Sequence, residues 1–174
     1  MGRNYKANLH AINTFVLDYD GVLTDGKVIL TSEGEALRTA NVKDGYAMQL
    51  AVKKGYNLII ISGGYSKSTL LRLKNLGISE IHLGVEHKLE TYHEMMKKYQ
   101  LNEEQVLYMG DDIPDIKPMS EAGIACCPAD AAEEVKKISH YISHKEGGTG
   151  CVRDIIEQVM KVHDNWMDGD AHHW

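Results

Sequence analysis

Cysteine is scarce in this chain and unpaired: Cys126 and Cys127 are adjacent, Cys151 stands alone, and no CxxC pair exists. Three unpaired cysteines without a secretion-signal pattern fit the reducing cytosol, so a cytoplasmic protein is expected. No apolar stretch approaches the length of a bilayer span, which excludes a spanning helix and predicts no membrane partner. Nor does a long basic stripe offset the formal charge of −6, which argues against a nucleic-acid partner. Internal repeats and low-complexity linkers are also missing. What remains is an ordinary globular composition, 43% hydrophobic and 25% charged over 174 residues. That length holds one domain with a proper core and is short for two. The body is expected over about 10–163, with a flexible tail at 164–174. The tail mixes Asp, Gly and His without periodicity, and its His172-His173 pair is read as tail rather than as a metal site.

The most informative stretch is Thr14-Phe15-Val16-Leu17-Asp18-Tyr19-Asp20-Gly21-Val22-Leu23-Thr24-Asp25. An apolar run closed by an acidic turn reads as a fully buried strand of a parallel sheet. Asp18 and Asp20 stand where that strand ends, and ligands of open α/β sheets bind outside the carboxyl ends of strands. Buried acids cost several kcal/mol each, roughly, unless a cation or partner neutralises them. The pair is therefore expected to be functional, with an acidic strand-to-turn corner as the bland alternative. Gly21 permits the sharp exit, and Thr24 suits the turn or a phosphate.

Two short β-rich pieces, 28–31 and 37–40, flank the turn signal Ser32-Glu33-Gly34-Glu35, which predicts a hairpin within 27–42. Helices are expected from Asp44 to about Lys54, 66–76, 88–99, 115–121, 131–137 and 154–162. Strands are expected at 58–61, 81–83, 105–109, 123–126 and 141–142. Strands alternating with helices imply an α/β fold, a doubly wound parallel sheet.

Three strands end in useful residues. Ser62, with the Gly63 amide, is placed to donate to a phosphate oxygen, although a serine there also serves as a helix cap. Gly110 is followed by Asp111, Asp112 and Asp115, three acids where a helix start explains one. Lys88 opens a helix, where the dipole disfavours a cation. Tyr46, Tyr108, Met95 and Met96 are read as core.

Asp18-x-Asp20-Gly-x-x-Thr, Ser62, Lys88 and Gly110-Asp111-Asp112-x-x-Asp115 together resemble, in order, the four motifs of the haloacid dehalogenase superfamily, across nearly the whole chain. The resemblance implies a Rossmann-like fold and a phosphatase. Asp18 would be the nucleophile that becomes an aspartyl-phosphate. Asp20 would protonate the leaving alcohol and later activate water. Ser62, Gly63 and Lys88 would hold the phosphoryl group, with Lys88 also neutralising Asp18. Mg²⁺ would be held by the carboxylates of Asp18, Asp111 and Asp112 and the Asp20 carbonyl, with Asp115 behind them.

The segments between the motifs narrow the resemblance. Asn41-Val42-Lys43-Asp44-Gly45-Tyr46-Ala47, Leu76-Gly77-Ile78, Gly84-Val85-x-x-Lys88 and Gly147-Gly148-x-Gly150-x-Val152-Arg153 are similar to the capless subclass acting on keto-sugar-acid phosphates. Its eight-carbon octulosonate 8-phosphate phosphatases, of lipopolysaccharide precursor synthesis, are the nearest match, with nine-carbon acids the alternative. That resemblance implies a small-molecule phosphorylated sugar acid as partner, met by Asp44, Gly64 and Arg72, the last at the carboxylate. Gly64 departs from the Arg or Glu of the two families. It also implies a homotetramer, the hairpins packing centrally through Val28, Leu30 and Leu37. A neighbouring subunit would roof the crevice, and 144–150 would approach the sugar. A phospho-aspartate receiver module is the rival from another class; it lacks an acid two residues beyond its phosphoacceptor. An inactive oligomerising domain is a third reading, disfavoured by the full acid set.

Overall fold

The computed structural model describes residues 5–172, without the side chain of residue 170. A 3₁₀ segment, Tyr5–Ala11, leads into β1 (Thr14–Leu17), then β2 (Ile29–Leu30) and β3 (Ala36–Leu37). There follow α1 (Val42–Lys53), β4 (Asn57–Ser62), α2 (Lys67–Asn75), β5 (Glu80–Leu83) and α3 (Lys88–Tyr99). The chain continues through β6 (Val106–Met109), α4 (Ile116–Glu121), β7 (Ile124–Cys127), α5 (Glu133–Ile138), β8 (Tyr141–Ile142) and α6 (Cys151–Val162).

Six strands form one sheet in the order β5-β4-β1-β6-β7-β8. Every pairing in it is parallel. β1 lies between β4 and β6, Thr14 pairing with both Asn57 and Val106 and Leu17 with both Ile60 and Met109. All four β1 residues are buried, as a strand covered on both faces requires. Phe15, Leu17, Ile60 and Met109 pack on one face with α1 and α6; Val16, Ile59, Ile61 and Tyr108 pack on the other with Tyr92, Met95 and Val135. Cys126 and Cys127 fall on opposite faces of β7, so alternation alone holds their thiols apart.

The α/β sheet and the small antiparallel β2–β3 hairpin stand as expected. Differences lie at element ends. α1 begins at Val42 rather than at Asp44, because the Asn41 side chain accepts from the amides of Lys43 and Asp44. α6 begins at Cys151 rather than at Asp154, and its start depends on a distant residue, Asp44, whose Oδ1 accepts from the Arg153 amide at 2.7 Å.

The expected flexible tail is corrected for the described residues. Trp166 is buried at 5% exposure, the Arg153 guanidinium lies 5.1 Å above its ring, and Tyr46 meets it edge-on. The Tyr46 hydroxyl donates to the Ala171 carbonyl, so 164–172 fold back over α1 and α6. His173 and Trp174 lie outside the described residues, and His172 is exposed.

Of the glycines at 147–150, Gly147 and Gly148 pack closely within the chain. An ideal Cβ on Gly147 would fall 2.0 Å from the Gly21 carbonyl oxygen, and one on Gly148 would fall 2.6 Å from the Asp25 amide. Close backbone contact is present, but with the 21–25 turn of the same chain. The Gly148 amide bonds Val22 and the Gly147 amide bonds Asp130.

Candidate active site

β1 delivers Asp18 to the middle of the sheet's carboxyl edge, its amide still bonded to the Met109 carbonyl of β6 at 3.0 Å. β4 delivers Ser62, β6 leads into Asp111 and Asp115, and the first turn of α3 supplies Lys88. These residues, with Asp20, Gly63, Gly64, Val85, Glu86, Asp112 and Pro114, line a crevice of about 300 Å³. The crevice sits where β4 and β6 flank β1, the switch point at which such sheets bind ligands.

At its floor Lys88 is 8% exposed, and its Nζ bridges Asp18 Oδ1 at 3.0 Å and Asp115 Oδ1 at 2.8 Å. Burial works against the ammonium, but the charges of Asp18 and Asp115 outweigh it and hold its pKa above the ordinary value. The Tyr108 hydroxyl donates to the same Asp115 oxygen at 2.9 Å, while Asp115 Oδ2 is buried without a partner. Burial, reinforced by the Asp115 charge, pushes the Asp18 carboxyl well above the usual carboxylate range. The same two causes raise Asp111 to about 6.

Carboxylate oxygens of Asp18, Asp111 and Asp115 lie within 4.8 Å of one another. The donor set fits a hard divalent cation: three converging carboxylates face one ammonium, and two have raised proton affinity. The grouping differs from expectation. Asp115, expected behind the ligands, joins it, while Asp112 caps the Ile113–Asp115 turn through the Ile113 amide at 2.8 Å and is exposed.

Ser62 is buried, and its Oγ accepts from the Gly64 amide at 3.2 Å, leaving its own hydrogen to donate into the crevice. The helix-cap alternative falls to Ser66, which accepts from the Thr69 amide before α2. Thr24 is fully buried and serves the turn, its Oγ1 taking the amides of Gly21 and Gly26. A Cβ on Gly21 would meet Asp111 Oδ2 at 2.0 Å, so the glycine lets this acid close on the turn.

Two expected substrate residues lie elsewhere. Asp44 is 1% exposed and turned onto the first turn of α6, with Oδ2 unpartnered and burial raising its pKa to about 6. It holds the first turn of α6 and does not line the crevice. Arg72 does not line the crevice; its guanidinium donates to the Asn41 carbonyl at 3.2 Å, tying α2 to the start of α1. Gly64 does line it.

Sequence reasoning missed Tyr108 and Arg38. A tyrosine inside an all-buried strand needs a partner for its hydroxyl, and that was the available signal. Arg38 stands just beyond β3, and its fork bonds both oxygens of Asp20, Nε to Oδ1 at 2.6 Å and Nη2 to Oδ2 at 2.9 Å. Eighteen residues separate the pair, and no local pattern marks it.

Comparison with known proteins agrees with this geometry. Residues 74–155 match the haloacid dehalogenase-like hydrolase family model. A 3-deoxy-D-manno-octulosonate 8-phosphate phosphatase of Yersinia pestis is 33% identical over 88% of this chain and 82% of its own length. The Moraxella catarrhalis phosphatase of that name, solved with magnesium, phosphate and the octulosonate, superposes with a TM-score of 0.89 at 36% identity, covering 92% of each chain. A cobalt-bound Haemophilus influenzae counterpart gives 0.88 at 28% identity, covering 95% of this chain and 97% of that one. By sequence over most of its length and by the fold that carries its acids, the chain belongs to the haloacid dehalogenase-like hydrolases, among the relatives of the octulosonate 8-phosphate phosphatases.

Proposed function

We propose that this protein is a Mg²⁺-dependent phosphatase of a phosphorylated keto-sugar acid, with 3-deoxy-D-manno-octulosonate 8-phosphate as substrate. The observation that carries the reading is the Lys88 bridge between Asp18 and Asp115 beside converging carboxylates. An ammonium on Asp18 Oδ1 leaves Oδ2 to attack phosphorus. The bond from phosphorus to the sugar oxygen breaks, and protonated Asp20 gives that oxygen its proton. Water then attacks phosphorus, Asp20 takes the proton, and Asp18 and inorganic phosphate are released. The Ser62 hydroxyl, the Gly63 amide and Lys88 hold the phosphoryl oxygens throughout. The carboxylates of Asp18, Asp111 and Asp115, with the Asp20 carbonyl, would hold Mg²⁺, and Asp112 would stand at the rim. The cation would neutralise the clustered acids and the phosphoryl charge.

The hairpin supports a homotetramer. Val28, Ile29, Leu30 and Leu37 are 43, 59, 78 and 40% exposed, an apolar patch without cover in the described chain. Packed against its copies, it would bring a neighbouring subunit over the crevice. Its three cysteines are buried free thiols, which fits the cytoplasm. No helix among the described residues is long and apolar enough to cross a membrane.

Steady-state rates with Mg²⁺ over eight- and nine-carbon keto-acid phosphates, hexose phosphates and nucleotides test the reading. The eight-carbon acid is expected to lead in kcat/KM. A lead for the nine-carbon acid moves the assignment to that sugar, and hexose phosphates turned over equally well refute it.

A further inference from the structure

The general acid of the proposed reaction is not free in this structure. Both oxygens of Asp20 take N–H donors from Arg38, whose Nη1 is anchored on the Ala36 carbonyl at 2.9 Å. The Arg38 side chain is only 11% exposed. A carboxyl group that donates a proton needs one oxygen clear of N–H donors. While the fork is closed, Asp20 cannot protonate a leaving oxygen. Turnover therefore requires Arg38 to let go, and an arginine leaves a carboxylate readily only for an equivalent partner.

The position of the pair indicates what that partner is. Lys88 and Ser62 are placed for the phosphoryl group, deep in the crevice. Asp20 serves the leaving oxygen, so a guanidinium locked to it lies on the side of the leaving group. Gly64 opens the same side. A Cβ there would stand 2.7 Å from Asp20 Oδ2 and 3.0 Å from Arg38 Nη2. The absent side chain leaves the space that the ion pair fills. Arg72, the arginine expected at the substrate carboxylate, does not line the crevice and donates one hydrogen bond to the Asn41 carbonyl.

We infer that Arg38 is the specificity-determining residue for the substrate's carboxylate, exchanging Asp20 for that group when the sugar acid binds. The inference rests on the phosphatase reading and adds how the acid is recognised. The exchange trades two charge-assisted hydrogen bonds for two of the same kind, so it needs little net energy and shifts easily between states. A neutral sugar phosphate offers no such partner. With it Arg38 stays on Asp20, and the leaving oxygen waits for its proton. Discrimination thus acts on the chemical step as well as on binding.

The test compares an octulosonate 8-phosphate with the ester whose carboxylate has been reduced to an alcohol, in wild type, Arg38→Ala and Arg38→Lys, all with Mg²⁺. Wild type is expected to prefer the acid. Arg38→Ala should cut that preference, the ratio of the two kcat/KM values, by about tenfold to a hundredfold. Turnover of the neutral ester should rise as Asp20 is released. Arg38→Lys keeps a cation but not the fork, and should lose about tenfold of the preference; it decides the matter if the alanine variant fails to fold. Folded variants in which both esters slow in step, or in which the preference survives, overturn the role of Arg38 and leave the phosphatase standing. A wild type inert on every ester sinks the phosphatase reading and this inference with it.

Discussion

The floor of the crevice and the hairpin above it are built by opposite means. The floor is a buried charge network: Lys88 is answered by two carboxylates and Asp115 by an ammonium and a phenol, beside a strand paired on both sides. The hairpin has two residues in each strand, and its apolar side chains face outward. Arg38, near its base, ties it to the body through Asp20, and the Arg38 charge is held up by that contact. A paired buried charge is costly to disturb, whereas a short two-stranded ribbon is marginal in water by itself. The contrast suggests a division of labour, with the reacting groups fixed by the sheet and substrate choice left to an element that can move.

The largest break in that contrast is at the floor. Asp18→Asn should remove turnover by roughly four orders of magnitude or more, with circular dichroism unchanged, since the amide fits the same space. Retained turnover on the sugar phosphate would put the nucleophile elsewhere. Lys88→Met should lower kcat by about a hundredfold to a thousandfold, because Asp18 and the transferring phosphoryl group lose their shared cation. A loss confined to KM would assign Lys88 to binding alone.

Asp44 sharpens the comparison from another side, as a buried carboxylate with no cation bonded to it. Its folded pKa of about 6 exceeds its ordinary 3.8, so the folded state binds the proton more tightly. The linked stability is fully present below about pH 4 and is lost as pH rises through about 6, by roughly 3 kcal/mol at most. Denaturant melts at pH 4 and pH 7 should show this difference in wild type and its absence in Asp44→Asn. An identical pH dependence in both would show that Asp44 is not the group responsible.

The smallest effect is expected at the hairpin. Leu30→Asp should convert the proposed tetramer to smaller species in light scattering and lower kcat/KM for the sugar acid by about tenfold. Turnover of a small aryl phosphate should fall far less, since it needs no roof. A Leu30→Asp monomer with full activity on the sugar acid would remove the shared-roof model and leave the floor chemistry intact.

Much of the floor was legible because its signals are local. An apolar run of three residues ending in two acids marks a buried strand and a charged exit, and α3 was bounded correctly at 88–99 because Lys88 begins and Tyr99 ends one amphipathic segment. Gly21 also announced its turn. The start of α6 was not legible, since its capping carboxylate, Asp44, comes from 109 residues away. The tail misled for a similar reason: its sequence has no period, and Trp166 is ordered by packing against Tyr46 and Arg153 rather than by neighbours in the chain.

By itself the sequence determined the strand order of chemistry along the chain, the acid-rich turns and the helix-strand alternation, all set by nearest-neighbour sterics and hydrophobic period. The tertiary structure alone decided which charges meet. Asp115 joined the converging carboxylates, Asp112 went to a cap, Arg72 to a carbonyl and Arg38 to Asp20. Such partnerships depend on separations of a few ångströms between distant segments, because a charge-assisted hydrogen bond weakens steeply beyond contact. No spacing along the chain encodes that distance.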